Sequence, residues 1–367
     1  ERYRPDSEDY RYLDTLFCLP EARLFMVLVD VVDSHPEFKK SYKDIAQDIR
    51  LAIDSVHQDG TLKAVITKDL DFYIERDPML PWVLYHFIQG HKKLFLLTNS
   101  EYYYTDIVMT YLLNGVVPGH ESWQDYFEMI VVSARKPGFF LKEATMEKIS
   151  EDEMGRPLDP QVASKVYRGG YFRELEKEIG SSGERVLYFG DHTFGDILKS
   201  KQKCGWRTAM IIAELENEIE VLLSQKKDKR HLETLRQELQ ESEDDTDMLL
   251  QQTYYLRSRK IDNYEDFSEA DLQSIDAQLN EIHQKISKNE EKITGQLKQI
   301  KELEVGLAQG YNNYWGSVFK SNRRKSRFGD QVEDHACVYT SRVTNFANYP
   351  TTKYFRIQPD LMPHERG

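Results

Sequence analysis

Four short apolar runs in the middle of the chain form its most regular pattern. Each is continuous and rich in aliphatic or aromatic residues, which is typical of buried strands. Helical periodicity occupies other stretches, including residues 41–57, 81–89 and 102–113. Strands that alternate with helices predict an α/β fold with a parallel sheet and right-handed crossovers. The four runs are Lys93–Thr98, Met129–Val132, Arg185–Phe189 and Arg207–Ile212.

A second pattern, in the Glu-, Gln-, Lys- and Leu-rich segment 216–309, predicts a helical hairpin. Its later helix carries apolar residues three and four positions apart from Leu272 to Ile286, which is the spacing of a coiled-coil seam. An earlier helix is predicted at about residues 217–240. Between them lies Glu241–Asp247, with five acids in seven residues. We interpret it as a solvated linker and set aside a metal or basic-partner site, because it lacks the glycine and terminal glutamate of a calcium loop.

Composition excludes several classes of protein. The chain has 49 Lys and Arg against 62 Asp and Glu, a net charge of −13, so we expect no nucleic acid bound through bulk charge. No apolar run approaches the roughly 18 residues of a membrane helix, and we expect no membrane partner. The cysteines are scattered, which argues against a disulfide framework and for a reducing, cytoplasmic location. They are Cys18, Cys204 and Cys337.

Polar groups suited to phosphate chemistry follow the first two predicted strands. The first run leads into Thr98-Asn99-Ser100, where a hydroxyl followed by backbone N–H groups can cradle a phosphate. Alternatively, this is a plain strand-to-helix turn capped by Ser100. Lys136 comes just past the second run, where it can reach a bound phosphate. Its alternative is a surface basic pair before a turn.

Two aspartates follow the third predicted strand. Asp191 and Asp196 are five residues apart, and Gly190 and Gly195 permit a tight turn between them. Their carboxylates can hold one hard cation such as Mg²⁺, although a single Gly-Asp would be interpreted as a turn. Thr, Lys and paired Asp at the ends of successive strands of one parallel sheet together predict a phosphoryl-transfer site.

These residues resemble a known family. Leu97–Ser100, Arg135–Pro137 and Gly190–Asp196 are similar to the second, third and fourth motifs of haloacid-dehalogenase-type phosphatases. More narrowly, they resemble the cytosolic purine 5′-nucleotidases, which prefer IMP and GMP. The resemblance extends from about Leu13 to Glu365, includes Leu361–Glu365, and is weakest in the predicted hairpin.

The resemblance implies a domain organisation. The fold would be a haloacid-dehalogenase-like Rossmannoid core with a helical cap and a long helical-hairpin extension. We also expect a homo-oligomer, either a dimer or a tetramer. The implied domains are the C-terminal part of the cap at 1–75, the catalytic core at 76–215, the hairpin at 216–309 and a C-terminal segment at 310–367 that packs back on the core.

The resemblance also implies roles for the strand-end residues. Thr98 would hold the transferring phosphoryl group by its hydroxyl, with substrate contacts from Asn99 and Ser100. Lys136 would neutralise the phosphate and the attacking carboxylate. Asp191 would bind Mg²⁺ directly, and Asp196 would support it.

One motif of the resembled family is absent. Its Asp-x-Asp-x-Thr, which supplies the nucleophile and the acid–base residue, does not occur in the 367 residues. Asp69 and Asp71 have the right spacing but lack the Thr and the preceding apolar strand, so we reject them. We expect the nucleophile strand upstream of Glu1, at the centre of the sheet, where its removal would leave a groove of unpaired backbone groups. The alternative is a pseudoenzyme.

A helical stretch in the first domain carries further candidates. Arg50, Asp54 and His57 are spaced four and three apart and share one helix face. Taken alone, they suggest a surface salt bridge and a solvated histidine. The resemblance instead implies that these three residues and Lys63 recognise the nucleotide, and that Phe17 stacks on its base.

Together these expectations describe an Mg²⁺-dependent 5′-nucleotidase. It would hydrolyse purine nucleoside monophosphates, IMP or GMP, through an aspartyl-phosphate that can also pass its phosphate to a nucleoside. One alternative is a non-catalytic protein that keeps the fold and binds a partner through its hairpin. The other is a phosphatase of the same superfamily for a different phosphomonoester.

Overall fold

The computed structural model describes residues 15–35, 37–262, 265–321 and 324–357. These residues form two compact units. The first comprises the described residues up to Leu215 and from Val318 onward, and the second is Glu216–Ser317. The motif at residues 361–365 lies outside the described residues. The division into cap, core, hairpin and C-terminal segment stays a prediction.

Helices and strands alternate through most of the first unit, which confirms the α/β prediction. No helix in the described ranges is both long and apolar enough to cross a membrane. In chain order the elements are α1 (Leu19–Ser34), α2 (Tyr42–Gln58), α3 (Thr61–Lys68), α4 (Leu70–Tyr73), α5 (Leu80–Gln89), β1 (Phe95–Leu97), α6 (Tyr102–Leu113), β2 (Met129–Val132), α7 (Gly138–Leu141), β3 (Glu147–Lys148), α8 (Pro160–Ala163), β4 (Val166–Arg168), α9 (Phe172–Ile179), β5 (Leu187–Gly190), β6 (Arg207–Ile211), α10 (Leu215–Ser224), α11 (Lys226–Asp262), α12 (Glu269–Gln309), β7 (Lys320–Ser321), β8 (Arg324–Lys325), α13 (Arg327–His335) and β9 (Val338–Thr340).

Helix α2 confirms the helix predicted at residues 41–57. Ser41 and Asp44 form a capping box, in which each side chain accepts the backbone N–H of the other residue. Ile45 and Ile49 are buried on its inner side. The cap and this apolar pair orient α2 so that its predicted nucleotide-recognition residues lie at the surface.

All four predicted strands are present, as β1, β2, β5 and β6. The described strands of the first unit lie in separate sheets rather than in one, which is consistent with the expectation that a central strand is missing from residues 1–367. One sheet has the order β1-β2-β4-β3, with β3 antiparallel, and another has the order β5-β6-β9, all parallel. In the part of the chain that is described, β1 and β5 are edge strands. A strand paired with both edges would join the two sheets into one.

Side chains connect the two sheets although their backbones do not pair. Leu97 of β1, Val131 of β2 and Tyr188 of β5 belong to one buried apolar cluster. The rings of Phe95 and Tyr188 stack, with centroids 6.3 Å apart. The ring of Trp206, just before β6, packs against both, with its centroid 5.8 Å from that of Phe95 and 5.5 Å from that of Tyr188. This aromatic packing holds the edges of β1 and β5 beside each other.

In the second unit, α11 packs along α12. Of the apolar residues whose spacing predicted a seam, those from Ile275 to Ile286 are buried in one cluster with Leu256, and Leu272 is half-buried. The linker predicted at Glu241–Asp247 is wrong, since these residues continue α11 without a break. Ser242 is buried on the inner side of the helix, so the acidic side chains remain in solvent while the helix packs.

The last part of the chain returns to the first unit. Strand β9 extends the second sheet by pairing in parallel with β6. Phe328 and Val332 of α13 pack against Ile197 and Met210. The Thr208 hydroxyl of β6 donates to the carbonyl oxygen at the end of α13, at 2.8 Å. These contacts support the far side of β6 and the segment that follows β5.

Candidate active site

The ends of β1 and β2 are locked together by backbone hydrogen bonds. The Thr98 N–H donates to the carbonyl of Val131 at 2.9 Å, and the Thr98 carbonyl accepts the N–H of Ala134 at 3.0 Å. The N–H of Ser133 donates to the carbonyl of Ser100 at 2.8 Å. Thr98 Oγ1 accepts the Ser100 N–H at 3.1 Å, which leaves the hydroxyl hydrogen of Thr98 able to donate to a ligand.

Asn99 holds the loop that carries Lys136. Its Oδ1 accepts the Lys136 N–H at 2.6 Å, and its Nδ2 donates to the Lys136 carbonyl at 3.1 Å. The loop needs this support, because Ser133 and Arg135 adopt φ angles of 47° and 58°, which residues other than glycine rarely do. Asn99 therefore positions Lys136, and its predicted contact with phosphate stays a prediction.

A buried ion pair lies at the centre of the site. Lys136 Nζ donates to Asp196 Oδ1 at 2.7 Å, and their side chains are 14% and 6% exposed. The Tyr188 hydroxyl lies 3.1 Å from both Lys136 Nζ and Asp196 Oδ1. Burial raises the pKa of Tyr188 well above its usual value, and the charge of Asp196 raises it further, so the hydroxyl stays protonated. Each charge of the pair has a hydrogen-bonding partner, as a buried pair requires.

Asp191 follows β5 directly and lies close to this pair. Although Asp191 reaches solvent, the protein around its carboxyl raises its pKa by desolvation, and the charge of Asp196 raises that pKa further. Gly190 permits the side chain of Asp196 to pack against the end of β5. A Cβ at position 190 would lie 2.4 Å from Asp196 Cβ.

The two aspartates suit Mg²⁺. This cation commonly binds through one or two carboxylates and takes its remaining ligands from water and substrate phosphate. In the described ranges, no group of three His, Cys, Asp or Glu side chains is placed to hold a metal, so Asp191 and Asp196 would rely on such outside ligands. A cation beside them would offset the repulsion that raises the Asp191 pKa.

His192 is a site residue that sequence reasoning missed. Its Nδ1 accepts the Gly195 N–H at 3.0 Å and so caps the π-helical turn Thr193–Leu198. A neutral His192 ring therefore carries its proton on Nε2. Phe17 stacks on this ring, with centroids 5.2 Å apart and planes at 23°. The structure thus brings the predicted base-stacking residue next to Asp191. The only signal in the sequence was the position of His192 inside the Gly-Asp-His motif.

Arg50 and Asp54 form the surface salt bridge that the sequence also allowed. Arg50 donates to both carboxylate oxygens of Asp54, at 3.1 and 3.0 Å, and to Glu21 at 3.3 Å. Glu21 belongs to the first turn of α1, the helix that Phe17 precedes, so this pair is anchored near Phe17. His57 is exposed in the last turn of α2. The roles of Arg50, Asp54 and His57 in nucleotide recognition stay predictions.

Lys63 links α3 to the strand-end residues. Its Nζ forms an ion pair with Glu101 and lies 5.4 Å from the centre of the Tyr104 ring. Glu101, rather than Ser100, occupies the N-cap position of α6. Partial burial acts to raise the pKa of Glu101, but the hydrogen bond from Lys63, a backbone hydrogen bond of Glu101 and the charge of Lys63 together outweigh it, and the pKa is lowered. Glu101 lies three residues after Thr98 in the chain. Its ion pair therefore holds Lys63 close to the strand-end residues.

Comparison with known proteins gives a consistent result. A model of the 5′ nucleotidase family matches residues 2–367. A 5′-nucleotidase domain-containing protein of Dictyostelium discoideum is 28% identical over 358 residues, which is 96% of this chain and 54% of that protein. Human 5′-nucleotidase domain-containing protein 2 is 33% identical over 215 residues, which is 56% of this chain and 39% of that protein. The chain spans about half the length, or less, of these curated relatives.

Proposed function

Because the chain belongs to the 5′ nucleotidase family, we propose that the full-length protein hydrolyses nucleoside 5′-monophosphates to nucleoside and phosphate. The observation that carries this proposal is the convergence of Thr98, Lys136 and the pair Asp191 and Asp196 at neighbouring strand ends. Phosphoryl transfer needs hydrogen-bond donors, positive charge and a cation around the phosphate, and these residue types provide them.

In the proposed site, Thr98 donates its free hydroxyl hydrogen to a phosphate oxygen, and Asn99 and Ser100 border the same oxygens. Lys136 supplies positive charge at a position fixed by Asn99 and Asp196. Because the Lys136 ammonium is already oriented, little reorganisation is needed as negative charge develops. Asp191 and Asp196 hold Mg²⁺, which supplies electrostatic stabilisation of the phosphoryl oxygens when it is bound.

The nucleophile in this proposal comes from outside residues 1–367. Within the described residues, β1 and β5 present unpaired edges beside the buried apolar cluster, and a strand paired with both would end next to Lys136. An Asp at its end attacks phosphorus, the P–O5′ bond breaks, and a second Asp protonates the departing nucleoside oxygen. Water then hydrolyses the aspartyl-phosphate. A nucleoside hydroxyl in place of water gives phosphate transfer.

The proposed specificity is for nucleotides with a purine base, such as IMP or GMP. Phe17 is 56% exposed and already stacks on the His192 ring, so its outer surface is open to a base. Arg50 can donate to the carbonyl of a 6-oxopurine, and Asp54 can accept its ring N–H. Cys18, Cys204 and Cys337, all described, are not joined by disulfides, which fits the proposed cytoplasmic location.

Phosphate release from a substrate panel tests this proposal. The full-length protein is given IMP, GMP, CMP and two sugar phosphates, with Mg²⁺ or with EDTA. Lys136→Met is compared with Lys142→Met, since Lys142 is an exposed lysine of the same region. We expect Mg²⁺-dependent release from IMP or GMP at least about tenfold faster than from CMP, a ratio worth about 1.4 kcal/mol. Lys136→Met loses this release and Lys142→Met keeps it.

Two outcomes would replace the proposal. Release from the sugar phosphates alone would indicate a phosphatase for another phosphomonoester. No release from any substrate by a folded full-length protein would indicate a non-catalytic protein.

A further inference from the structure

One face of α11 carries a second heptad pattern, separate from the seam that packs on α12. Its six residues are spaced alternately by four and three, and all are exposed. They lie roughly 100° around the helix from the buried residues Thr253 and Leu256. The α11 face consists of Glu243, Asp247, Leu250, Tyr254, Arg257 and Ile261.

Large apolar side chains are concentrated at the centre and one end of the α11 face. Tyr254 is 76% exposed and Ile261 is 75% exposed, and Leu250 lies between Tyr254 and the acidic end. Exposed large apolar side chains one helical turn apart, as at Leu250 and Tyr254, suit an interaction surface. Arg257 NH2 is hydrogen-bonded to His283 Nε2 at 3.1 Å, and the guanidinium has further N–H groups for a carboxylate.

The α11 face is self-complementary about Gln252. When a second α11 runs antiparallel, Leu250 meets Tyr254 of the second copy, because both lie two residues from Gln252. Asp247 likewise meets Arg257 of the second copy, because both lie five residues away. A parallel pair in register would instead place Asp247 against Asp247 and Arg257 against Arg257, which like charges oppose.

We propose that two copies of this chain associate through the α11 face, with their α11 helices antiparallel about a two-fold axis at the axial level of Gln252, whose side chain lies on the opposite side of the helix. Two layers of Leu250 and Tyr254 form the centre, and an ion pair of Asp247 and Arg257 closes each end. Between these end pairs, from Asp247 to Arg257, the contact extends about 15 Å, at 1.5 Å per residue. Glu243 and Ile261 lie opposite each other in this register and flank the contact. The occupant is a second copy because the face supplies the opposite charge at its own symmetry-related positions.

Neighbouring tyrosines give a matched pair of variants. Tyr255 is 65% exposed, close to the exposure of Tyr254, but points away from the α11 face. Sedimentation velocity of the full-length protein from about 1 to 100 µM measures the dissociation constant of the dimer. We expect Tyr254→Ala to raise it at least about tenfold and Tyr255→Ala to change it less than about twofold. Equal effects of both variants, or a monomeric wild type at the highest concentration, would overturn the proposal.

Charge reversal tests the antiparallel register. Asp247→Arg and Arg257→Asp should each weaken dimerisation about tenfold, because each places like charges together twice per dimer. The double variant should return to within about threefold of wild type. Asp245→Arg, on the opposite side of α11, is the control for added charge, and circular dichroism checks that each variant keeps its helices.

A double variant that stays as weak as the single variants would overturn the antiparallel arrangement. Single charge reversals that leave self-association unchanged but abolish binding to a different helical protein would also overturn the proposal. That result would assign the α11 face to another partner.

Discussion

Two ion pairs in the first unit have similar chemistry and different surroundings. The side chains of Lys136 and Asp196 are only 14% and 6% exposed, share the Tyr188 hydroxyl and lie where strand ends meet. Arg50 and Asp54 lie one helical turn apart on the surface of α2. A buried pair has lost its hydration and depends on its partners, whereas an exposed pair exchanges with water at little cost. The buried pair therefore suits one fixed geometry, and the exposed pair is available to a ligand.

The largest expected effect comes from the carboxylate beside the buried pair. Asp191→Asn keeps the shape of the side chain and removes the charge that a hard cation needs. We expect Mg²⁺-dependent turnover of the full-length protein to fall by roughly 10³-fold, equivalent to several kcal/mol of lost stabilisation. This fall in turnover is measured as phosphate release from IMP. Near-normal activity that still depends on Mg²⁺ would remove Asp191 from the site.

Removing one partner from each pair compares their contributions to stability. Lys136→Met leaves Asp196 buried without its cation, and we expect the free energy of unfolding to fall by about 3–5 kcal/mol. Arg50→Met should lower it by less than about 1 kcal/mol. Urea titration followed by tryptophan fluorescence suits this measurement, because Trp206 packs 5.5 Å from Tyr188.

Similar losses for the two variants would show that burial does not distinguish the pairs. Lys136→Met would then be no more damaging than the loss of an exposed charge, and the comparison would lose its physical basis.

A smaller effect on activity is expected at Asn99, which positions Lys136 of the buried pair. Asn99→Ala removes two hydrogen bonds to the Lys136 backbone, about 1 kcal/mol each. We expect kcat for IMP to fall about tenfold with KM changed less than about threefold, because the side chain of Lys136 remains but is less well oriented. Asn348→Ala, an exposed asparagine of the same unit, is the control. A change in KM alone would indicate that Asn99 contacts substrate rather than orienting Lys136.

Local sequence pattern predicted the elements of the fold well. The four apolar runs correspond to β1, β2, β5 and β6, and the helix predicted at residues 41–57 corresponds to α2. These elements follow from periodicity, which depends on neighbours along the chain. The acidic segment Glu241–Asp247 was wrongly predicted as a linker, because charge suggested solvation. Burial of Ser242 on the inner face of α11 shows that the helix continues beneath the charges.

Contacts between distant segments could not be predicted in the same way. Tyr188 was assigned to a strand, but its bonds to Lys136 and Asp196 join three separate segments. Asn99 was assigned to phosphate, while its observed contacts are with the Lys136 backbone. The separation of β1 from β5 was expected only through the family resemblance, because residue spacing does not specify strand pairing.

The ratio of kcat/KM for IMP to that for CMP tests the central claim most directly. It is measured in the full-length wild type, in Lys136→Gln and in Asp54→Ala. We predict that Lys136→Gln lowers both values by the same factor, at least about 10²-fold, and keeps the ratio. Asp54→Ala should lower the ratio by roughly 10- to 150-fold, equivalent to about 1.5–3 kcal/mol for one charged hydrogen bond. An unchanged ratio in Asp54→Ala, or a changed ratio in Lys136→Gln, would contradict the division of roles between the two pairs.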